Sequence, residues 1–300
     1  MRPMLFTKMH GAGNDYVYLD GFEHRIAAPS ELARRISDRH FGVGGDGLIV
    51  IQPPESRDAD CRMEIYNADG SRAQMCGNGI RCVAKYVYDR RRVERTEVRI
   101  ETDAGLKVVR VFAGPAGKVD SAEVDMGPPI LERGRIPFRD GGDPRLPAIG
   151  VPVVLRGETY RLTAVSMGNP HAVIRVPSPP EAPPIEGWPV AAVGPALEHH
   201  PWFPERVNVE FISVRTRSEI DARVWERGSG ETLACGTGAC AAVVAAAING
   251  WCDPDVLVHL RGGDLRVRWE GARADRGVLE GGTVFMAGPA VEVFTGEWPD

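Results

Sequence analysis

The sequence predicts an α+β protein built as two duplicated halves related by a pseudo-twofold axis, each a β-sheet wrapped around one central α-helix. Three observations carry that prediction. Gly-Asn stands in a short polar segment ahead of a strand-like run twice, at Asn14 before YVYLD and at Asn169 before AVIRV. A C-G-x-G motif follows in each half, at Cys76 after 62 residues and at Cys235 after 66. Each motif opens a helix-compatible segment, and two strands with a turn between them come next.

In chain order, ELARRISDRHF reads as a helix, and the glycine-rich stretch behind it turns into the strand LIVIQ. Gly42, Gly44 and Gly47 fit G-x-G-x-x-G, but helix-loop-strand is the reverse of the dinucleotide-binding order, so this is a turn. Ile80 to Tyr88 forms the central helix of the first half, and VRIETDAGLKVVRVF its two following strands. The second half repeats this with Ala239 to Ile248 and VLVHLRGGDLRVRW, and VDMGPP at Val124 is echoed by VFMAGPA at Val284. The stretch from Pro177 to Pro204, rich in proline and polar residues, is expected to be a surface excursion. The expected domains are residues 1–125 and 126–283.

Composition narrows the function classes. A chain of 300 residues can bury two cores, and 43% hydrophobic with 26% charged residues is ordinary for a globular protein. A net charge of -5 argues against a nucleic-acid partner, and the short basic run Arg90 to Arg92 is flanked by Asp89 and Glu94. The N-terminal stretch lacks the apolar core of a signal peptide, and the longest apolar run, Ala239 to Ile248, is too short to span a bilayer. A cytoplasmic protein with no membrane contact is expected. Six cysteines without a C-x-x-C pair argue against a disulfide framework and against zinc, so no metal is expected.

The chemistry rests on Cys76 and Cys235. A thiol at a helix start faces backbone N–H groups and the positive end of the helix dipole, which lower its pKa and also bind carboxylates. One such cysteine is as readily a packing residue; two in a duplicated chain are not. A pseudo-twofold axis would set both loops across an interdomain cleft, with a thiol on either face of one ligand. Inverting a stereocentre needs that pair, a base on one face and an acid on the other. Cys61, Cys82, Cys240 and Cys252 are assigned to packing.

The stretches KMHGAGNDYVYLD, YNADGSRAQMCGNGIRC, GNPHAV, RVNVEFI and RVWERGSGETLACGTGACA closely resemble diaminopimelate epimerase, over about residues 6 to 290. The resemblance implies that family's fold, no cofactor, a homodimer, and a final strand near 284–295 that completes the first domain. It implies epimerisation of LL-2,6-diaminopimelate to meso-diaminopimelate, on the route to lysine and peptidoglycan precursors, with Cys76 and Cys235 exchanging protons. By the same carry-over, Gly77, Asn78, Gly236 and Thr237 hold the reacting carboxylate through backbone N–H groups. Asn14, Asn67, Asn169 and Asn208 line the site, Arg227 clamps the distal carboxylate and Glu226 meets the distal ammonium. His171 and Glu226 lie where the family tunes its thiols. One departure is visible, Gly47 where some members carry Gln.

Two other readings compete. A proline- or histidine-type racemase of the same fold would lack a use for Glu226 and Arg227, which suit a substrate with a second amino acid head. A non-catalytic amino acid binding protein would have no need of paired thiols.

Overall fold

A computed structural model describes residues 3–177, 184–271 and 282–299. The chain divides into two compact units, Met1–Asp125 with Ala287–Asp300, and Met126–Met286. The first contains β1 (Met4–Gly11), β2 (Asn14–Asp20), α1 (Pro29–Ile36), β3 (Gly47–Gln52), β4 (Cys61–Asn67), β5 (Arg72–Ala73), α2 (Gly77–Asp89), β6 (Glu97–Thr102), β7 (Gly105–Ala113) and β8 (Val119–Gly127). The second contains β9 (Val151–Leu155), β10 (Glu158–Ser166), β11 (Pro170–Arg175), α3 (Val190–Glu198), β12 (Asn208–Thr216), β13 (Glu219–Glu226), β14 (Gly230–Thr232), α4 (Gly236–Ile248), β15 (Asp255–Leu260) and β16 (Gly263–Trp269). After these come β17 (Val284–Pro289) and β18 (Val291–Trp298), and β18 pairs antiparallel with β1.

The two units repeat one pairing sequence. From β1 to β7 the neighbours run antiparallel, parallel, antiparallel, parallel, antiparallel through β2, β3, β4 and β6. From β10 to β16 they run the same way through β11, β12, β13 and β15. Parallel neighbours need a crossover connection, and a helix supplies it each time: α1 and α2 in the first unit, α3 and α4 in the second. The mixed, sheet-dominated α+β class follows from this arrangement.

The helices α2 and α4 are central because their sequences tolerate enclosure. In α4, residues Ala239 to Ala246 are all buried, and their small side chains let strands approach from several sides. In α2 the run Gly77 to Val87 is buried and includes two cations. Lys85 pairs with Asp89 at 2.8 Å, and Arg81 donates to Gly77 O at 3.0 Å and to Asn78 Oδ1 at 2.9 Å. The buried charge is thereby matched by acceptors, as burial of an ion requires.

The segment after Pro177 corrects the sequence reading. It is a crossover, not a surface excursion: α3 buries Val190, Val193 and Leu197 in the core of the second unit, together with Ile185. Arg223 holds the approach to α3 by donating to Ile185 O, Glu186 O and Trp188 O at 2.7–3.0 Å. Pro189 and Pro195 hid this helix, since proline inside a short segment reads as a breaker. Residues 178–183 of that stretch lie outside the described residues.

Candidate active site

In the first unit Cys76 is the N-cap of α2, and its Sγ accepts from Gly79 N–H at 3.3 Å. The Asn14 carbonyl Oδ1 lies 3.3 Å from the same sulfur. That amide is held from behind: Asn14 Nδ2 donates to Asp46 at 2.6 Å, and the Asp15 N–H donates to the same oxygen at 3.1 Å. A carboxylate can only accept, so Asp46 turns the Asn14 carbonyl toward the thiol. Lys8 and Arg39 bind Asp15 at 2.6 and 2.7 Å. Burial alone would raise the Asp15 carboxyl, and these two cations reverse the sign and hold it below its ordinary range.

Tyr16 is buried beside Cys76, and burial, then the charge of a Cys76 thiolate, pushes its phenol up well beyond the usual value. The Asn78 side chain is engaged by Arg81. Asn67 ends β4 in the cross-strand row Tyr16, Gly47, Asn67, and its Nδ2 donates to Ser71 Oγ at 2.9 Å. That row explains Gly47. A Cβ there would stand 2.2 Å from Tyr66 O and 2.8 Å from the Tyr16 ring.

In the second unit Cys235 caps α4, accepting from Gly238 N–H at 3.4 Å, with Thr237 Oγ1 at 3.5 Å. Asn169 Nδ2 donates to Thr237 Oγ1 at 3.4 Å, and Asn169 Oδ1 lies 2.9 Å from His171 Nε2. Behind the imidazole, Glu210 Oε1 stands 2.7 Å from His171 Nδ1, both side chains fully buried. Asn208 joins strand ends, donating to Pro170 O at 3.1 Å and accepting from Arg227 N–H at 2.9 Å. Glu226 accepts from the Thr232 hydroxyl at 2.5 Å, and Arg227 is exposed, donating to Glu205 O at 3.0 Å.

The expectation that both thiols are acidified by their helices fails at Cys235. Burial comes first, then the carboxylates of Glu226 and Glu210; together they push this thiol well above the ordinary value against the Thr237 and Gly238 donors. The dipole at a helix start is a modest effect, and desolvation with two nearby carboxylates exceeds it. Burial also raises Cys82 to about 11, and Cys61 and Cys252 to about 12.

A family model described as diaminopimelate epimerase matches residues 6–132 and 163–293. The chain belongs to the diaminopimelate epimerase family. It is 50% identical to the diaminopimelate epimerase of Desulfovibrio desulfuricans, covering 98% of this chain and 97% of that one. It is 49% identical to that of Agathobacter rectalis, covering 98% and 99%. Among solved structures it resembles a hydroxyproline epimerase from Agrobacterium vitis with a TM-score of 0.66 at 17% identity, covering 99% of this chain and 91% of that one. This family member is an enzyme of the isomerase class.

Sequence reasoning missed Asp46, Tyr16 and Glu210 in this epimerase. Glu210 left a signal, a charge inside the otherwise apolar strand run NVEFI. Asp46 and Tyr16 left none, because Asp46 acts through Asn14 on β2 and Tyr16 meets Cys76 at the start of a helix far along the chain. Among the described residues no group of three or more His, Cys, Asp or Glu side chains could hold a metal, and no helix is long and apolar enough to cross a membrane.

Proposed function

We propose that the chain interconverts LL- and meso-2,6-diaminopimelate by a two-thiol mechanism in which Cys76 and Cys235 serve in turn as base and acid. The observation that carries the reading is the repeated cap: in both units a cysteine Sγ accepts from the third residue of a buried helix whose start is Gly-x-Gly. One thiolate removes the α-proton from one face of the stereocentre while the other thiol delivers a proton to the opposite face. We assign the α-carboxylate to the N–H groups of Gly77, Asn78, Gly236 and Thr237, where helix-start dipoles stabilise it as carbanion character develops.

Asn14, Asn67, Asn169 and Asn208 are assigned to lining the substrate site, Arg227 to the distal carboxylate and Glu226 to the distal ammonium. That last assignment bears on the raised Cys235 thiol. An ammonium paired with Glu226 offsets one of the two carboxylates that disfavour the thiolate, so substrate binding moves Cys235 toward a base while burial, the largest cause, still opposes it. The reading carries no cofactor, a homodimer and a cytoplasmic location with it.

The test is turnover of diaminopimelate in heavy water by wild-type, Cys76→Ala and Cys235→Ala protein. Wild type should place deuterium at one α-carbon, and each variant should lose epimerisation by at least about 10³-fold, the order a positioned acid or base contributes. Normal turnover in either variant refutes the mechanism. Faster turnover of proline or histidine than of diaminopimelate refutes the substrate. Mass spectrometry after mild oxidation should find a Cys76 to Cys235 disulfide, which requires the two sulfurs to reach one another.

A further inference from the structure

We infer that Glu210 is a positioning residue for the Cys235 thiol: it shares one proton with His171 and so fixes the direction of a chain of side-chain hydrogen bonds ending at the sulfur. The chain is continuous. Glu210 Oε1 stands 2.7 Å from His171 Nδ1, His171 Nε2 stands 2.9 Å from Asn169 Oδ1, Asn169 Nδ2 donates to Thr237 Oγ1 at 3.4 Å, and Thr237 Oγ1 lies 3.5 Å from Cys235 Sγ.

Its polarity follows from the inventory of donors. The Asn169 carbonyl faces the imidazole, so Nε2 bears hydrogen. The contact between Nδ1 and Oε1 then holds the second proton, as imidazolium with carboxylate or as imidazole with carboxylic acid; either way the pair is neutral overall, and that proton offsets the Glu210 charge that would otherwise disfavour the Cys235 thiolate. Neutrality suits its setting. His171 and Glu210 are 0% exposed, and Glu210 Oε2 has no partner, which an isolated buried carboxylate would not tolerate. At the other end Thr237 accepts from Asn169 and therefore turns its own hydrogen to the sulfur. With Gly238 N–H, Cys235 receives two donors. The carboxylate is built into the helix start, since a Cβ on Gly238 would lie 2.7 Å from Glu210 Oε1. The titratable groups facing this thiol are Glu210 from β12, His171 from β11 and Glu226 from β13.

The inference rests on the reading of Cys235 as an acid-base residue, so the test reads the thiol and the imidazole directly. Alkylation by iodoacetamide, followed peptide by peptide, compares Cys235 with Cys76 as internal reference. Glu210→Gln can donate from its amide to Nδ1 and keeps the polarity; its Cys235 rate at pH 7 should stay within about 2-fold of wild type. Glu210→Leu releases the imidazole, and the Cys235 rate should fall about 10-fold, the loss of one hydrogen bond to an ionised group. Cys76 should not change, and Glu210→Leu should have no further effect on Cys235 in a Thr237→Val background.

A Glu210 that acted only as a negative charge would give faster alkylation in both variants, which overturns the inference, as does a Glu210→Leu rate equal to wild type. Should that variant not fold, nitrogen NMR of ¹⁵N-histidine in the wild-type protein decides alone. Nε2 of His171 must carry hydrogen, and an unprotonated Nε2 refutes the chain. Full turnover in Cys235→Ala would instead refute the acid-base reading and leave these two measurements standing.

Discussion

Gly47 and Cys235 are two residues whose surroundings, not their own chemistry, decide what they do. At Gly47 the strand leaves no space for a Cβ, with Tyr66 O at 2.2 Å. Gly47→Ala should therefore destabilise the first unit by about 1–3 kcal/mol, the usual cost of overpacking, seen as a lowered melting temperature. An unchanged melt would mean that β3 can shift. Cys235 has a raised thiol, so in the substrate-free protein its alkylation should be slow at pH 7 and accelerate as pH rises, since only the thiolate reacts. Rapid labelling at pH 7 would contradict the burial described. The two capping cysteines were legible because a fixed motif brackets each. Asp46 acts across strands paired far apart in sequence, where no local pattern records it; Glu210 left only a charge inside an apolar strand, with no hint of its partner.

Among the elements, α2 and α4 were legible from their motifs, beginning three residues earlier than apolar periodicity places them. The difference is the Gly-x-Gly turn itself, which propensity assigns to a loop and which the cysteine cap converts to helix. By contrast α3 was illegible. It has nine residues, with Pro195 inside and Pro189 as its cap, and its place is set by tertiary contact with the second core. Arg223 is the device that holds its approach, donating to three backbone carbonyls while pairing with Glu231 at 2.7 Å. Removing a largely buried guanidinium with that many acceptors leaves them unpaired. Arg223→Ala should cost roughly 2–4 kcal/mol, measured by urea unfolding, whereas a cost under about 1 kcal/mol would show that the carbonyls find water.

For the whole molecule, the duplication was readable from four landmarks, and the structure expresses it in the repeated order of strand pairings. What spacing alone did not reveal is which strand borders β1. The answer is β18, with Met4 opposite Trp298, and it carries a consequence for biosynthesis. The second unit's last paired strand, β16, leaves the ribosome before β18, which finishes the first unit, so the later-encoded unit should mature first. The earlier one must wait, its β1 edge open, for a partner almost three hundred residues downstream. Closing a loop of that size is slow even where its entropic cost grows only logarithmically. Limited proteolysis of released chains truncated after Met286 should yield a protected second unit and a digested first one. Protection of residues 1–125 in such chains would mean the open edge is sealed some other way. An exposed β edge during synthesis is also where a newborn chain would mispair with its neighbour on a polysome, which makes β18 the segment whose late arrival governs yield.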